Sequence, residues 1–365
     1  MTKIISYLNV ILLVFFCSSF AIAQSVSSNQ KTWQFAFSGD SRNCGDVVMP
    51  AIAQGVAKTR AEFYWHLGDL RAVFDYDEDI INRAGVNKRP SIFEYERIAW
   101  PDMIESQINR FNVPFFLGIG NHETISPKTR ADYLIQFADW LGAPVLRDQR
   151  LKDDPTDHKL RAYFHWQKDG VDFIYLDNAT TDQFDAAQLA WFNKVMNLAD
   201  ADRNIKTIVV GMHEALPDSL SFAHSMSDYP TGVESGRTVY KRLLASRNEA
   251  HKTIYVLASH SHFLMDNIYA SDYWKANGGV LPGWIVGTAG AVRYVLPKDV
   301  EKTSAIAKTN VYGYMLATVN PPGQPVGSIK FDFHEVKEPD VPADVRAKFG
   351  VDLINWCFEK NTNVL

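Results

Sequence analysis

Five apolar runs in this chain each end abruptly on a residue able to bind a metal, and that pattern constrains the fold more than any other feature. Trp33 to Ser38 stops at Gly39-Asp40, and Phe63 to Leu67 stops at Gly68-Asp69. Val113 to Leu117 leads into Gly118-Ile119-Gly120-Asn121-His122-Glu123. Ile205 to Gly211 ends at Met212-His213, and Lys252 to Ser259 at His260-Ser261-His262. Short apolar runs with sharp polar ends read as buried strands. Open α/β sheets bind ligands beyond the carboxyl ends of their strands, so neighbouring strands would bring all five endings into one pocket.

The rest of the chain fits an α/β frame. Trp33 to Ser38, a helix from Val47 to Arg60 and Phe63 to Leu67 form a β-α-β unit. Arg71 to Pro90 is charged and weakly periodic, which predicts a surface insertion on the rim of the site. Ser91 to Phe111 has helical spacing interrupted at Pro101, and Lys128 to Leu141 reads as another helix. Leu146 to Leu160 reads as a polar loop, followed by a hairpin, Arg161 to Trp166 and Val171 to Asp177, around Gln167-Lys168-Asp169-Gly170. Gln188 to Leu198 and Glu234 to Ser246 are predicted helices on either side of the strand that ends near His213. Between them, Glu214 to Gly236 is a long connection of the sort that carries function. Beyond His262, Trp284 to Val286, Val292 to Tyr294, Tyr312 to Val319 and Ser328 to His334 predict antiparallel strands extending a second sheet. Residues 335–365 are expected to form a peripheral appendage to a catalytic domain spanning 33–334.

Residues 1–23 begin with Lys3, run through Val10 to Phe16 and finish at Ala21-Ile22-Ala23, the pattern of a cleavable secretory signal. A linker, 24–32, follows. Cys17 follows two phenylalanines and does not make a lipoprotein site. The expected location is secreted or periplasmic, and no later stretch is apolar for the roughly 20 residues a membrane span needs. Past the leader the chain has 36 basic and 42 acidic residues, which offers no general grip on nucleic acid. Only Cys44 and Cys357 follow the leader, and both a bridge and two free thiols are open.

Carboxylate, amide oxygen and imidazole are the ligands of borderline divalent or trivalent ions, and most of these positions have no cysteine nearby to argue for a structural zinc knot. Singly, each element has an ordinary reading. A Gly-Asp is usually a turn, a lone His213 a hydrogen-bonded histidine, Asn121-His122 a helix cap and Glu123 a surface carboxylate. Five such elements in this order, each at a strand end, are a different matter.

In that order they resemble the calcineurin-like metallophosphoesterases, the group that includes the purple acid phosphatases. The resemblance spans most of residues 33–334, with weaker echoes in Phe173 to Asp177, in Gln188 with Trp191, and in Gly287-Thr288-Ala289-Gly290. It implies a four-layer α-β-β-α sandwich in a single catalytic domain, and two metal ions (iron, manganese or zinc). Asp40, Asp69 and His262 would hold the first, and Asp69, Asn121, His213 and His260 the second. Paired ions of this kind supply a hydroxide and hold both oxygens of a displacement. The implied reaction is hydrolysis of a phosphate monoester or diester, on a small molecule or a macromolecule. His122 would be the acid or charge stabiliser beside the phosphate, with Glu123 orienting its imidazole.

Two positions depart from the family pattern. Arg42 stands where the family commonly places a histidine, and Ala72 where purple acid phosphatases place a tyrosine. The first ion thus has three assigned ligands, and an iron-tyrosinate centre is disfavoured. Guanidinium offers no lone pair to a metal, so Arg42 is either a clamp for substrate phosphate or a bystander paired with Asp46 or Asp77. The rival function is a degenerate member that binds metal, phosphate or a partner without turnover. His66 reads as packed, and His224, in the long connection, as a substrate contact.

Overall fold

The computed structural model describes residues 31–82, 89–180, 183–221, 224–298, 300–304 and 306–363. The leader 1–23 and residues 24–30 of the linker lie outside the described residues.

The fold is mixed α/β with two sheets. The elements in its first half are β1 (Trp33–Ser38), α1 (Gly45–Ala57), β2 (Ala61–His66), α2 (Glu78–Ile81), α3 (Ile92–Ser106), β3 (Phe115–Leu117), α4 (Arg130–Gln136), α5 (Ala138–Leu141) and α6 (Pro144–Asp153). Then come β4 (Phe164–Lys168), β5 (Val171–Leu176), α7 (Ala186–Ala201), β6 (Thr207–Met212), α8 (Pro230–Glu249) and β7 (Thr253–Ala258). The chain finishes with β8 (Leu264–Asp266), α9 (Asp272–Ala276), β9 (Gly283–Val286), β10 (Ala307–Lys308), β11 (Tyr312–Val319), β12 (Ile329–Val336) and α10 (Ala343–Glu359).

One sheet has the order β12-β11-β1-β2-β3 and the other β10-β8-β9-β7-β6-β5-β4. Parallel strands buried on both faces read as continuous apolar runs rather than alternating ones, which is why β1, β2, β5 and β6 were visible as runs. The sheets meet across a layer of rings. Phe173 lies 5.1 Å from Phe35 and 5.3 Å from Phe63, Trp166 lies 4.3 Å from Phe116, and Trp284 lies 4.1 Å from Phe331, all between centroids. Such aromatic pairs add directional preference to the area they bury. A second apolar cluster joins β6 and β7 to Phe192, Val195 and Met196 of α7 and Val239 and Leu243 of α8.

Register then places the polar endings. Ser38 pairs with His66 and His66 with Leu117, so β1, β2 and β3 finish level. In the other sheet Gly211 pairs with Leu257, which sets the ends of β6 and β7 side by side. The two edges are stitched together: Ser259 Oγ donates to the Leu67 carbonyl at 3.0 Å, and the Tyr175 hydroxyl to that of Ile119 at 2.8 Å.

Several expectations are corrected. β11 and β12 join the first sheet, β11 lying antiparallel to β1, and do not extend the second. Val292–Tyr294 forms no strand beyond a bridge between Arg293 and Thr362, because its backbone bonds go to Asn361, Asn363 and the loop carbonyl of His262, none of them in a strand. The expected loop at Leu146–Leu160 contains α6, started by Pro144 and anchored by buried Leu146, with Arg147 and Asp148 on its exposed side. Helix α3 runs through Pro101, whose missing N–H costs only a bond to the carbonyl of exposed Arg97. α8 begins at Pro230, four residues before the expected start at Glu234.

The tail packs against the main body. Val345, Phe349, Leu353 and Ile354 of α10 are buried in the main apolar cluster, and Cys357 is bonded to Cys44. Part of the segment expected at the rim turns inward, although Phe74, Asp75 and Arg89 are exposed. Arg71 is fully buried among Asp46, Asp77, Asp79 and Asp102, and Asp77 accepts the Ala72 N–H at 3.1 Å. No helix among the described residues is long and apolar enough to cross a membrane.

Candidate metal centre

The loops after β1, β2 and β7 put Asp40, Asp69 and His260 at positive φ, +65°, +56° and +63°. Asp, Asn and His tolerate this region better than other side chains, and residues held there cluster at functional sites. The turns bring two groups of ligand atoms together. One is Asp69, His213 and His260; the other is Asp40, Asp69 and His262; within each group the atoms lie no more than 4.8 Å apart. Asp69 belongs to both. Asn121 joins the first group, its Oδ1 lying 3.0 Å from His213 Nε2.

Backbone carbonyls set the imidazoles. His213 Nδ1 lies 3.1 Å from the Leu67 carbonyl oxygen, His262 Nδ1 2.7 Å from that of Val292, and His122 Nδ1 2.8 Å from that of Ala72. A carbonyl only accepts, so in each ring Nδ1 carries a proton and Nε2 is the nitrogen turned to the centre, with a lone pair whenever the ring is neutral. This is how metal-binding histidines are usually oriented. His260 Nδ1 points at His213 Nε2 from 3.0 Å, leaving two ring nitrogens face to face.

Asp69 is buried with Oδ1 accepting the His122 N–H at 3.1 Å. Burial opposes its charge, yet His122, His213 and Arg42 hold its carboxyl well below the usual range. Asp40 accepts the His260 N–H at 2.8 Å, and against the burial penalty His262 holds it low as well. Burial works against a charged His213, but Asp69 beside it lifts the ring to about 9. Burial pushes His260 well below its ordinary value, and His213 pushes the same way. Asp40 Oδ1 and Asp69 Oδ2 are buried with no hydrogen-bond partner. What they face instead is ion-pair neighbours, His262 Nε2 at 3.3 Å from Asp40 Oδ1 and Arg42 Nε at 3.6 Å from Asp69 Oδ2, as buried anionic oxygens require positive charge nearby.

The donor set therefore fits a divalent or trivalent ion at Asp69, Asn121, His213 and His260. At Asp40, Asp69 and His262 the donors are also of the right kind, but a guanidinium already lies among them. Arg42 Nη2 is 3.3 Å from His262 Nε2, and its Nε is 3.6 Å from Asp69 Oδ2. Arg42 does not pair with Asp46 or Asp77 as a bystander would. Asp46 binds Arg71, and Asp77 receives the backbone N–H groups of Asn43 and Ala72.

Glu123 corrects both of its sequence readings. It is fully buried, and it accepts the N–H groups of Asp69 at 3.0 Å, Leu70 at 2.9 Å and Gly120 at 2.8 Å. It holds the turn that carries Asp69, while Ala72 orients His122. Burial and the Asp69 charge push the Glu123 carboxyl up to about 8, but three N–H donors on its two oxygens favour the ionised form.

His122 is buried, with Phe74 stacked on its ring at 4.5 Å and Nε2 3.7 Å from Asp69 Oδ2. Burial, reinforced by Arg42, lowers its ring to about 4. Val73, between Ala72 and Phe74, sits at φ +62°, a strained position for a β-branched residue. His66 is packed, taking the Gly68 N–H on Nδ1 at 3.2 Å.

His224 lies at the mouth, its ring 5.4 Å from His260 and stacked at 5.2 Å on Tyr294, which in turn stacks on His262 at 4.1 Å. Leu220, His224, Phe263, Tyr294 and Val295 line an open cavity of about 550 Å³ there. Neither Tyr294 nor Phe74 carried a sequence signal, because an aromatic residue in a loop looks the same whether it faces the core or a site.

No protein-family model matches the chain, and no curated protein sequence matches it. Solved structures do. The purple acid phosphatase from yellow lupin (Lupinus luteus) seeds has a TM-score of 0.52 and 15% identity, covering 84% of this chain and 52% of that one. PhoD has a TM-score of 0.50 and 13% identity, covering 84% of this chain and 72% of that one. This chain thus spans about half the length of the lupin phosphatase. At such identities the likeness is one of fold.

Proposed function

We propose that this chain is an exported, metal-dependent phosphoesterase of the metallophosphoesterase family, built as a four-layer α-β-β-α sandwich. One observation carries the reading: six side chains able to bind a metal, from five strand ends, converge on one buried centre around the shared carboxylate of Asp69. The fold likeness to a phosphatase supports it. The Cys44–Cys357 bridge supports export, since oxidising compartments preserve disulfides.

Asp69, Asn121, His213 and His260 hold the ion in this reading, with iron, manganese or zinc matching the donors. A bound cation there lowers the pKa of water and offsets the negative charge of a phosphate ester. The chain does the rest. Glu123 keeps the Asp69 turn rigid, and the carbonyls of Leu67 and Val292 hold His213 and His262 in one tautomer. His122, clamped between Ala72 and Phe74, presents Nε2 to the same centre; burial keeps the ring neutral there, and the negative charge of a bound phosphate ester would favour the imidazolium, whose Nε2 proton can pass to a departing alkoxide. Arg42 is close enough to face phosphate oxygens with a fork of donors.

The test is hydrolysis of 4-nitrophenyl phosphate and bis(4-nitrophenyl) phosphate by protein loaded with zinc, manganese or iron. Turnover of at least one ester is expected. Absence of turnover on both, with metal bound, would favour a protein that binds metal or phosphate without catalysis.

A further inference from the structure

The cluster Asp40, Asp69 and His262 contains its own cation. The geometry points to Arg42 as the permanent occupant of that position, so that the protein binds a single metal ion, at Asp69, Asn121, His213 and His260, and meets phosphate with one metal and one guanidinium.

The loop that carries Arg42 is fixed on both sides. Ser41 N–H donates to the Asp69 carbonyl at 2.9 Å and Ser41 Oγ to that of Leu70 at 3.1 Å. On the other side Asn43 is bound through its N–H to Asp77, Cys44 N–H donates to the Gly290 carbonyl at 3.2 Å, and Cys44 is bonded to Cys357. A side chain leaving a backbone held this firmly has a narrow range of destinations.

His262 decides the competition. Its Nδ1 proton is committed to the Val292 carbonyl, so Nε2 has one lone pair, and Arg42 Nη2 lies 3.3 Å from it. A metal ion at that nitrogen would need the same lone pair. One oxygen of the cluster repeats the point, since Asp69 Oδ2 lies 3.6 Å from Arg42 Nε. The other cluster is arranged differently. Asn121 Oδ1, His213 Nε2 and Asp69 Oδ1 face one another at 3.0 and 3.2 Å, with no hydrogen bond or ion pair from Arg42 to any of these atoms.

Charge gives the same answer. Asp40 and Asp69 supply two negative charges at the donors, which one divalent ion and Arg42 already offset; a second divalent ion would add two further positive charges within a few ångströms of a guanidinium that stays protonated at any ordinary pH.

The metal count stands without the phosphoesterase reading; only the role toward phosphate rests on it. The test is elemental analysis of protein loaded with excess Zn²⁺ and desalted, together with titration calorimetry. Wild type should retain one zinc per chain and show one binding event. Arg42→His, which supplies a neutral lone pair in place of the cation, should retain two. His262→Ala on the wild-type background should still retain one, which keeps the test decisive if Arg42→His folds poorly. Inorganic phosphate titrated into zinc-loaded protein should bind at least about tenfold more weakly to Arg42→Ala than to wild type. Two zinc ions in wild type, loss of an ion in His262→Ala, or a folded Arg42→His that stays at one would overturn the assignment. Equal phosphate binding by Arg42→Ala would overturn the phosphate role. Protein that retains no zinc would overturn both this inference and the metal-dependent function, whereas one zinc without ester hydrolysis would remove the phosphoesterase reading alone.

Discussion

Replacing Glu123 by Gln changes few atoms and tests whether this carboxylate holds the metal-binding turn. Oε2 accepts the N–H groups of Asp69 and Gly120, at 3.0 and 2.8 Å, and Oε1 that of Leu70, at 2.9 Å. Glutamine has one oxygen. Its better orientation keeps that oxygen on Asp69 and Gly120 and turns the amide NH₂ toward the Leu70 N–H, donor against donor, in a fully buried place. One charge-assisted bond is lost and two donors are left without an acceptor, which together cost about 2–4 kcal/mol. The reverse orientation sets the NH₂ against two donors and is worse. The turn that moves is the one bearing Asp69, and removing an outer partner of a metal ligand typically weakens metal affinity about 10–100-fold. Thermal unfolding followed by circular dichroism, and Zn²⁺ titration by calorimetry, read the two effects. A melting temperature lowered by several degrees together with weaker zinc binding is expected. If Glu123→Gln matches wild type in both, Glu123 does not organise the centre and the argument is refuted.

Three further outcomes follow from named contacts. His122→Ala should lower kcat by about 100-fold at unchanged metal content, less for esters with good leaving groups; an equal loss across leaving groups would make His122 a stabiliser of phosphate charge and not a proton donor. His165, away from the centre, is buried between Asp172 at 2.8 Å and Asp153, and against the burial penalty these carboxylates raise its ring to about 9. A histidine raised in the folded state gives stability that is full below its unfolded value near 6.5 and disappears as pH climbs through 9, here on the order of 3 kcal/mol; denaturant titrations from pH 6 to 10 should show a fall in wild type that is smaller by about this amount in His165→Gln. Cys44→Ser should cost about 2–5 kcal/mol in the same titrations, because Cys44 and Cys357 close a loop across 313 positions, and an unchanged midpoint would mean the bond adds nothing to stability.

The strand endings were readable because each buried parallel strand is a local apolar run and each ligand follows it directly. β1 matches its expected bounds residue for residue, and the hairpin β4–β5 formed around its Gly-containing turn. What escaped is decided by distant partners. Nothing in Tyr312–Val319 says that it pairs with Trp33–Phe37 and not with a strand of the other sheet. α6 was hidden because it buries only a narrow stripe, and Arg71 because a charged side chain in a charged segment looks solvated until four carboxylates are found around it. In the centre, residue types gave the ligand positions but not the direction of Glu123 or Arg42. Those depend on two N–H groups of the loop after β2 with one of its own loop, and on a histidine 220 positions away.

The central claim is that the converged side chains make a metal-dependent phosphoesterase, and His260 tests it most directly, since it belongs to the metal cluster and has no contact with Arg42 in the structure. Wild type and His260→Ala would be loaded with the same metal, assayed for metal content, and compared for hydrolysis of 4-nitrophenyl phosphate and bis(4-nitrophenyl) phosphate. The account predicts turnover by wild type, and in His260→Ala a loss of bound metal accompanied by at least about a 100-fold loss of activity. Wild-type protein with metal bound and no hydrolysis of either ester, or a His260→Ala variant as active as wild type, would contradict it.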